Sequence, residues 1–351
     1  MTANNSFRIT LRTVTPLYLG GAERQPELRT PSLRGLLRFW YRAMDPDFRK
    51  HESSIFGSGG KGGAGALSIS FPDVPLKPNL YNIQTDEKES PGIKYLAYPF
   101  YMKGGDRKAV RPGSQFSVLH TIRPWADREL SDLTRKAVVA GWWAICNLGG
   151  IGNRSRRGFG SVTCVGVETD WPEASDTGVK LTPSSTKEWI DSLKNVLSKE
   201  SGLFKRITSG EHSCLIQGSW ILLLAQDKRK EGYNRWQQAL EYIGQKYQEF
   251  RKNRKLSENA ALGLPIEDRD GTKVRGVKHE RSASPLIINV VCIDGHYYPV
   301  VTLLNCRVLA PDEQVHLVEK HMEKTIARPS ANFVTAFHDH VKDDLLKGVE
   351  L

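Results

Sequence analysis

Between residues 7 and 168 the spacing of apolar residues changes in one succession: strand, helix, strand, strand, helix, strand. Phe7, Ile9 and Leu11 alternate with Arg8, Thr10 and Arg12, so residues 7–19 read as a strand with one buried face. Leu19, Gly20 and Gly21 break it. Thr30 and Pro31 read as an N-cap followed by proline in the first helical position. Leu33, Leu36, Leu37, Trp40 and Met44 continue at helical spacing. A short strand is expected over 66–71. After an excursion containing proline and charge, another is expected over 115–123. Residues 127–148 read as a helix stopped by Gly149 and Gly150, and 161–168 as the closing strand. This order is the split βαβ arrangement that RRM and ferredoxin-like domains share.

A chain of 351 residues exceeds one ordinary domain and suits two. Residues 171–202 read as a linker holding a short helix over 186–199, apolar at Trp189, Leu193 and Val196. A buried-type strand follows at 219–225. A strong helix over 233–255 places Trp236, Leu240, Ile243, Tyr247 and Phe250 at alternating spacings of four and three. Residues 286–293 and 297–304 form a hairpin around Asp294-Gly295, a primed-turn signal. Helices are expected over 312–327 and 330–346, which puts a helix where the last strand of a second copy belongs. The expected fold class is α+β: two tandem ferredoxin-like (RRM-like) domains, the second degenerate. The expected boundaries are 1–170, 171–202 and 203–351.

Lys and Arg number 50 against 39 Asp and Glu, a formal net charge of +11. That excess points to a polyanionic partner, nucleic acid before membrane. Residues 1–6 carry no apolar run of signal-peptide type. The longest apolar runs, 137–146 and 220–225, are too short to cross a bilayer. Cys146, Cys164, Cys214, Cys292 and Cys306 show no CxxC spacing, which fits a reducing cytosol and no zinc site.

Four basic segments are candidates for phosphate. Residues 149–161 hold five glycines and three arginines. Gly150, Gly152, Gly158 and Gly160 permit close backbone approach, and Arg154, Arg156 and Arg157 present planar forks that match phosphate. The bland alternative is a solvated turn, but linkers carry Ser and Gly rather than Arg beside a Phe of core type. Arg34, Arg38 and Arg42 form a stripe on the first helix with no interleaved acid, extended by Arg24 and Arg29; most such runs are simply solvated faces. Residues 57–63, with Lys61, resemble a P-loop only superficially. Gly62 follows Lys61 where Ser or Thr is needed, Ile55 stands five before Gly60, and a strand follows. An RNA-facing hairpin tip is expected there instead. Lys103, Arg107, Lys108 and Arg111 lie near Tyr98, Phe100 and Tyr101, which can stack bases or tuck into the core.

None of the nine histidines belongs to a metal or triad motif. His338 and His340 would point about 200° apart on a helix, since each residue turns about 100°. No G-x-S-x-G or H-E-x-x-H occurs. No metal or cofactor is expected.

Thr15-Pro16-Leu17-Tyr18-Leu19-Gly20-Gly21 and Leu28-Arg29-Thr30-Pro31-Ser32-Leu33-Arg34-Gly35-Leu36-Leu37-Arg38 strongly resemble the opening of RAMP proteins of CRISPR systems. In particular they look like those of subunits numbered one of the type III-B Cmr effector complex. Ile55-Phe56-Gly57, the loop 149–161, Leu262-Gly263-Leu264-Pro265 and Arg281-Ser282-Ala283-Ser284-Pro285-Leu286 fit the family's further motifs. The resemblance implies tandem ferredoxin-like domains in a cytoplasmic, antiviral ribonucleoprotein that targets foreign RNA. It implies single-stranded guide or target RNA and other Cmr subunits as partners, at one end of the assembly near the 3′ end of the guide. The cutting subunit of such complexes carries an aspartate between the first strand and first helix. Residues 20–30 here hold Glu23 and Glu27 but no aspartate. RAMP nucleases that process guide RNA often use histidine in this region, and none precedes His51. A non-catalytic RNA-binding subunit is therefore expected. The alternative is a metal-independent endoribonuclease processing guide RNA. A host RRM-type regulator is disfavoured because the aromatic RNP1 pattern is absent.

Overall fold

The structure, a computed structural model, describes residues 5–21, 25–59, 62–73, 80–87, 90–102, 105, 107–174, 180–197, 214–226, 231–268, 270–306, 309, 312–319, 322–328 and 332–351. The first unit runs β1 (Ser6–Thr13), α1 (Thr30–Met44), α2 (Phe48–Phe56) and β2 (Leu67–Ser70). An excursion follows: β3 (Leu80–Tyr81), α3 (Ile83–Asp86), α4 (Pro91–Leu96), α5 (Tyr98–Tyr101) and β4 (Ala109–Val110). β5 (Gln115–Ile122), α6 (Arg128–Asn147) and β6 (Val162–Thr169) complete the unit. The strand order is β2-β5-β1-β6, antiparallel throughout. Phe7, Ile9 and Leu11 face the core, as their alternation requires. Leu33, Leu37, Trp40 and Met44 bury one face of α1.

Asp127 starts α6 by accepting a hydrogen bond from the Leu130 N–H at 2.8 Å. Every residue of α6 from Ala137 to Asn147 is buried. A helix apolar all round must be covered all round, and here both sheets cover it. One continuous core joins Phe7, Ile9 and Trp142 to Ile287, Val291 and Val300 of the second sheet. The side chain of Asn289 in that sheet donates to the Cys146 carbonyl of α6 at 3.2 Å.

α7 (Thr186–Leu197) lies within the segment read as a linker. It packs firmly on α6: Trp189 Nε1 donates to Asn147 Oδ1 at 2.8 Å, and Trp143 Nε1 to Ser192 Oγ at 3.1 Å.

The second unit runs β7 (Trp220–Leu224), α8 (Trp236–Lys252), α9 (Leu256–Asn259), β8 (Ile266–Glu267), β9 (Lys273–Gly276), β10 (Leu286–Ile293) and β11 (His296–Leu303). It continues with β12 (Val315–Glu319), β13 (Met322–Ile326), α10 (Phe333–Val341) and β14 (Leu345–Glu350). Its main sheet has the order β10-β11-β7-β14. Counting only strands of the main sheets, both units place their second, third, first and fourth strands side by side.

The second unit departs from two expectations. Residues 312–327 hold a hairpin, β12–β13, paired to β9, and not a helix. Only Val315 of its ten paired residues is buried, so no apolar helical face exists to dock. Residues 330–346 were expected to be wholly helical. α10 stops at Val341, and β14 then pairs with the free edge of β7. Pairing satisfies backbone groups along an otherwise open edge. The second unit therefore has the final strand that the degenerate reading lacked. The Asp294-Gly295 turn is as expected, with φ of 48° and 75°.

Candidate nucleic-acid interface

The glycine–arginine loop closes α6 and lies between the two units. Gly158 N–H donates to the Ile288 carbonyl at 3.0 Å, and Ile288 N–H donates to the Arg156 carbonyl at 3.2 Å. The loop thus covers part of β10, the edge strand of the second sheet. On its other side Asn153 N–H donates to the Tyr18 carbonyl at 2.7 Å, and Gly160 N–H to Pro16 at 2.9 Å. Thr15 and Ser161 hydroxyls donate to the Gly158 carbonyl at 2.8 and 3.2 Å. Gly152, Gly158 and Gly160 have φ of 84°, 79° and 68°. A Cβ would meet the Tyr18 carbonyl at Gly152, Leu240 at Gly158 and the Ile151 carbonyl at Gly160. At Gly150 it would lie 2.9 Å from the Gly160 carbonyl. The close approach that glycine permits is therefore made to protein backbone and side chains.

The three arginines follow the same direction. Arg154 donates from Nε to the Leu96 carbonyl at 2.9 Å, at the C-terminal end of α4. Glu241 of α8 accepts from the Gly92 and Ile93 N–H groups at the other end, both at 2.9 Å. The excursion helix is thus held at both poles. Arg156 donates to the Ser284 carbonyl and lies 4.8 Å from the Phe39 ring centre. Arg157 donates to the Leu286 and Arg156 carbonyls, each at 3.0 Å, and lies 4.9 Å from the Tyr247 ring centre. Burial lowers the pKa of Arg154 and Arg156 to about 10, helped by the nearby Arg157 charge. Arg154 and Arg156 thus stay cationic at neutral pH. Their forks face carbonyls of the second unit and the excursion, where the sequence suggested phosphate.

The α1 stripe divides. Arg42 is paired with Glu52 at 2.6 and 3.0 Å. Arg38 donates to the Gly57 carbonyl and sits 5.6 Å from the Phe56 ring centre. Arg34 has its pKa lowered by burial first, then by the positive charges of Arg123 and Arg38. Arg29 is exposed just ahead of the helix. Among the described residues, Arg34, Arg38 and Arg123 form no ion pair, and the Nε groups of all three are buried without a partner. Arg123 lies outside the four basic segments of the sequence. It follows β5 directly, and only the fold brings it to α1.

The remaining candidates scatter. Arg107 and Lys108 are exposed beside β4. Arg111 donates to the Leu80 carbonyl at 2.9 Å and packs on Tyr81. Phe100 is buried against Tyr18, with ring centres 4.0 Å apart, and the Tyr101 hydroxyl donates to the Ile83 carbonyl at 3.0 Å. Tyr98 stays exposed. Arg24, Lys61 and Lys103 lie outside the described residues.

No group of three or more His, Cys, Asp or Glu that could hold a metal occurs among the described residues. His338 lies against Trp220, with ring centres 4.4 Å apart, while His340 meets the Lys246 carbonyl at 3.0 Å, so they diverge. His120 is fully buried. Its Nε2 accepts from Trp142 Nε1 at 3.0 Å, which leaves Nδ1 to donate to the Phe7 carbonyl at 3.2 Å. Burial depresses its pKa to about 4. No helix among the described residues is long and apolar enough to cross a membrane.

Comparison with known proteins supports the likeness carried by the opening motif and the glycine-rich loop. Residues 10–163 match the RAMP superfamily. The chain is 28% identical over 305 residues to the CRISPR system Cmr subunit Cmr1-1 of Pyrococcus furiosus, covering 83% of this chain and 84% of that one. The crystal structure of Cmr1 from Pyrococcus furiosus in its apo form superposes with a TM-score of 0.65 at 22% identity, covering 98% of each chain. A chain of the cryo-EM structure of type III-B Cmr-beta bound to cognate target RNA and AMPPnP superposes with a TM-score of 0.54 at 11% identity. That match covers 97% of this chain and 99% of the other.

Proposed function

We propose that this chain, with its RAMP-superfamily segment and its likeness to Cmr1, is a non-catalytic RNA-binding subunit of a type III-B Cmr ribonucleoprotein. It works in the cytoplasm in antiviral defence, holding single-stranded guide or target RNA near the guide 3′ end and contacting other Cmr subunits. Two tandem ferredoxin-like units, meeting near residues 171–202, form its body; the shared strand order of the two main sheets supports this reading.

The observation that carries the proposal is the similarity to a named Cmr subunit along more than four-fifths of both chains. The uncompensated arginines at α1 supply a physical basis for RNA binding. The glycine–arginine loop supplies the scaffold. A non-catalytic role fits residues 20–30, which lack the aspartate of the cutting subunits.

Labelled RNA incubated with the pure chain, in EDTA and in manganese, tests the assignment. Salt-dependent binding without discrete products is expected, with reduced target engagement when the chain is omitted from a reconstituted complex. Cleavage that disappears on mutating one residue of this chain would replace the reading with the endoribonuclease.

A further inference from the structure

Arg38, Gly57 and Arg123 are linked through the chain itself. Arg38 donates to the Gly57 carbonyl. Gly57 lies against Gly65, so closely that a Cβ on Gly57 would be 2.9 Å from the Gly65 nitrogen. The next residue, Ala66, accepts the Arg123 N–H through its carbonyl at 2.9 Å. Arg34, one turn before Arg38, feels the charges of both Arg38 and Arg123. Three guanidinium groups thus converge where β5 ends beside α1. Among the described residues no carboxylate pairs with them. Like charges held together without an anion indicate that an anion completes the cluster.

Directly after Arg123 the chain turns. The Ala126 N–H donates to the Arg123 carbonyl at 3.1 Å, closing a turn with Pro124 and Trp125 at its corners. Proline stiffens that turn. Trp125 is 57% exposed, although tryptophan is ordinarily well buried. A flat aromatic ring two residues from an unpaired cationic cluster is the combination that takes one nucleotide, phosphate on the arginines and base on the ring.

We propose that Arg34, Arg38, Arg123 and Trp125 form a nucleotide subsite for single-stranded RNA. The inference rests on the RNA-binding reading and adds to it the place and the mode of contact: charge and stacking, with no base-specific hydrogen bond.

Binding of a fluorescein-labelled oligouridine to the full-length chain, measured by anisotropy across a salt series, tests it. Trp125→Ala should weaken binding about 5- to 100-fold and leave the salt slope unchanged, because stacking releases no counterion. Trp125→Phe should restore most of the affinity. Arg123→Ala should weaken binding and flatten the slope by about 0.7, the share of one phosphate, while Arg123→Lys keeps the slope. Should Arg123→Ala fail to fold, Arg34→Gln reads the same charge. If the wild-type chain binds with a steep slope and these variants bind equally well, the subsite is overturned and the RNA-binding reading stands. If Trp125→Ala matters only for recovery of the chain in an assembled complex, the ring docks protein and the subsite is likewise overturned. If the wild-type chain binds no RNA at any salt, both fall.

Discussion

Two arginine-rich segments of this chain share a composition and differ in what they face. The glycine–arginine loop lies between the two units, and Arg154, Arg156 and Arg157 donate to carbonyls of Leu96, Ser284 and Leu286. The α1 face sits at the rim of the first sheet, and Arg34, Arg38 and Arg123 have no anionic partner among the described residues. The difference is one of neighbours. A loop trapped between two sheets meets backbone acceptors left at an edge strand, and the guanidinium fork fits carbonyls as well as phosphate. The α1 face meets a backbone carbonyl at Gly57 and, beyond it, other cations. The same side chain is therefore bound to backbone carbonyls in one place and, among the described residues, stands beside other cations without an anionic partner in the other.

The contrast breaks first at the glycines. Gly160→Ala should cost about 3 kcal/mol or more of stability by urea denaturation, since it adds a backbone clash to a left-handed φ. Gly20→Ala, where nothing lies within 4 Å, should stay within about 0.5 kcal/mol. Equal effects would show the loop to be slack.

Next comes Arg157→Ala, which removes two 3.0 Å hydrogen bonds and the stack on Tyr247. It should cost about 2 kcal/mol by the same assay, the loss of two charge-assisted hydrogen bonds. The salt slope for RNA binding of the folded variant should match wild type. A flatter slope with unchanged stability would move Arg157 to the RNA side of the comparison.

A pH series separates interior from rim. The folded pKa of His120, about 4, lies below the ordinary 6.5 of an unfolded histidine. The unfolded chain therefore binds the extra proton between those values. His120 imposes no penalty above about pH 6.5, and stability is lost as pH falls toward 4. Between pH 7 and pH 5 this amounts to about 2 kcal/mol. His120→Gln should remove that part of the acid sensitivity, read from Tm at the two pH values. The salt slope for RNA should be the same at both, because arginine stays charged. An equal pH response in variant and wild type would free His120 from its assigned role.

The smallest effect belongs to Arg42→Ala. Its pairing with Glu52 leaves little charge for RNA, and a partly exposed pair contributes about 0.5 kcal/mol. A drop in RNA affinity as large as that of Arg34→Ala would show that Glu52 releases it on binding.

Periodicity made the first unit legible. Phe7, Ile9 and Leu11, the α1 apolar stripe and the 20-residue α6 each declare which face is buried. The last third was harder to read. Residues 345–350 are neither strongly apolar nor alternating; their strand state comes from the open edge of β7. β12 likewise takes its strand state from pairing with β9. Edge pairing is a property of the partner, and no local pattern announces it.

By itself the sequence determined the succession of strands and helices in the first unit, the basic balance and the likeness to RAMP proteins. These follow from covalent order: hydrophobic period, glycine and proline placement, and motif spacing. Only the tertiary structure decided which arginines face inward and which face out. Arg123 stands 85 residues after Arg38 in the sequence, and Arg156 and Ser284 are 128 apart. Whether a guanidinium meets a carbonyl, a carboxylate or water depends on what the rest of the chain brings to it, and electrostatic and hydrogen-bond energies are set by that distance.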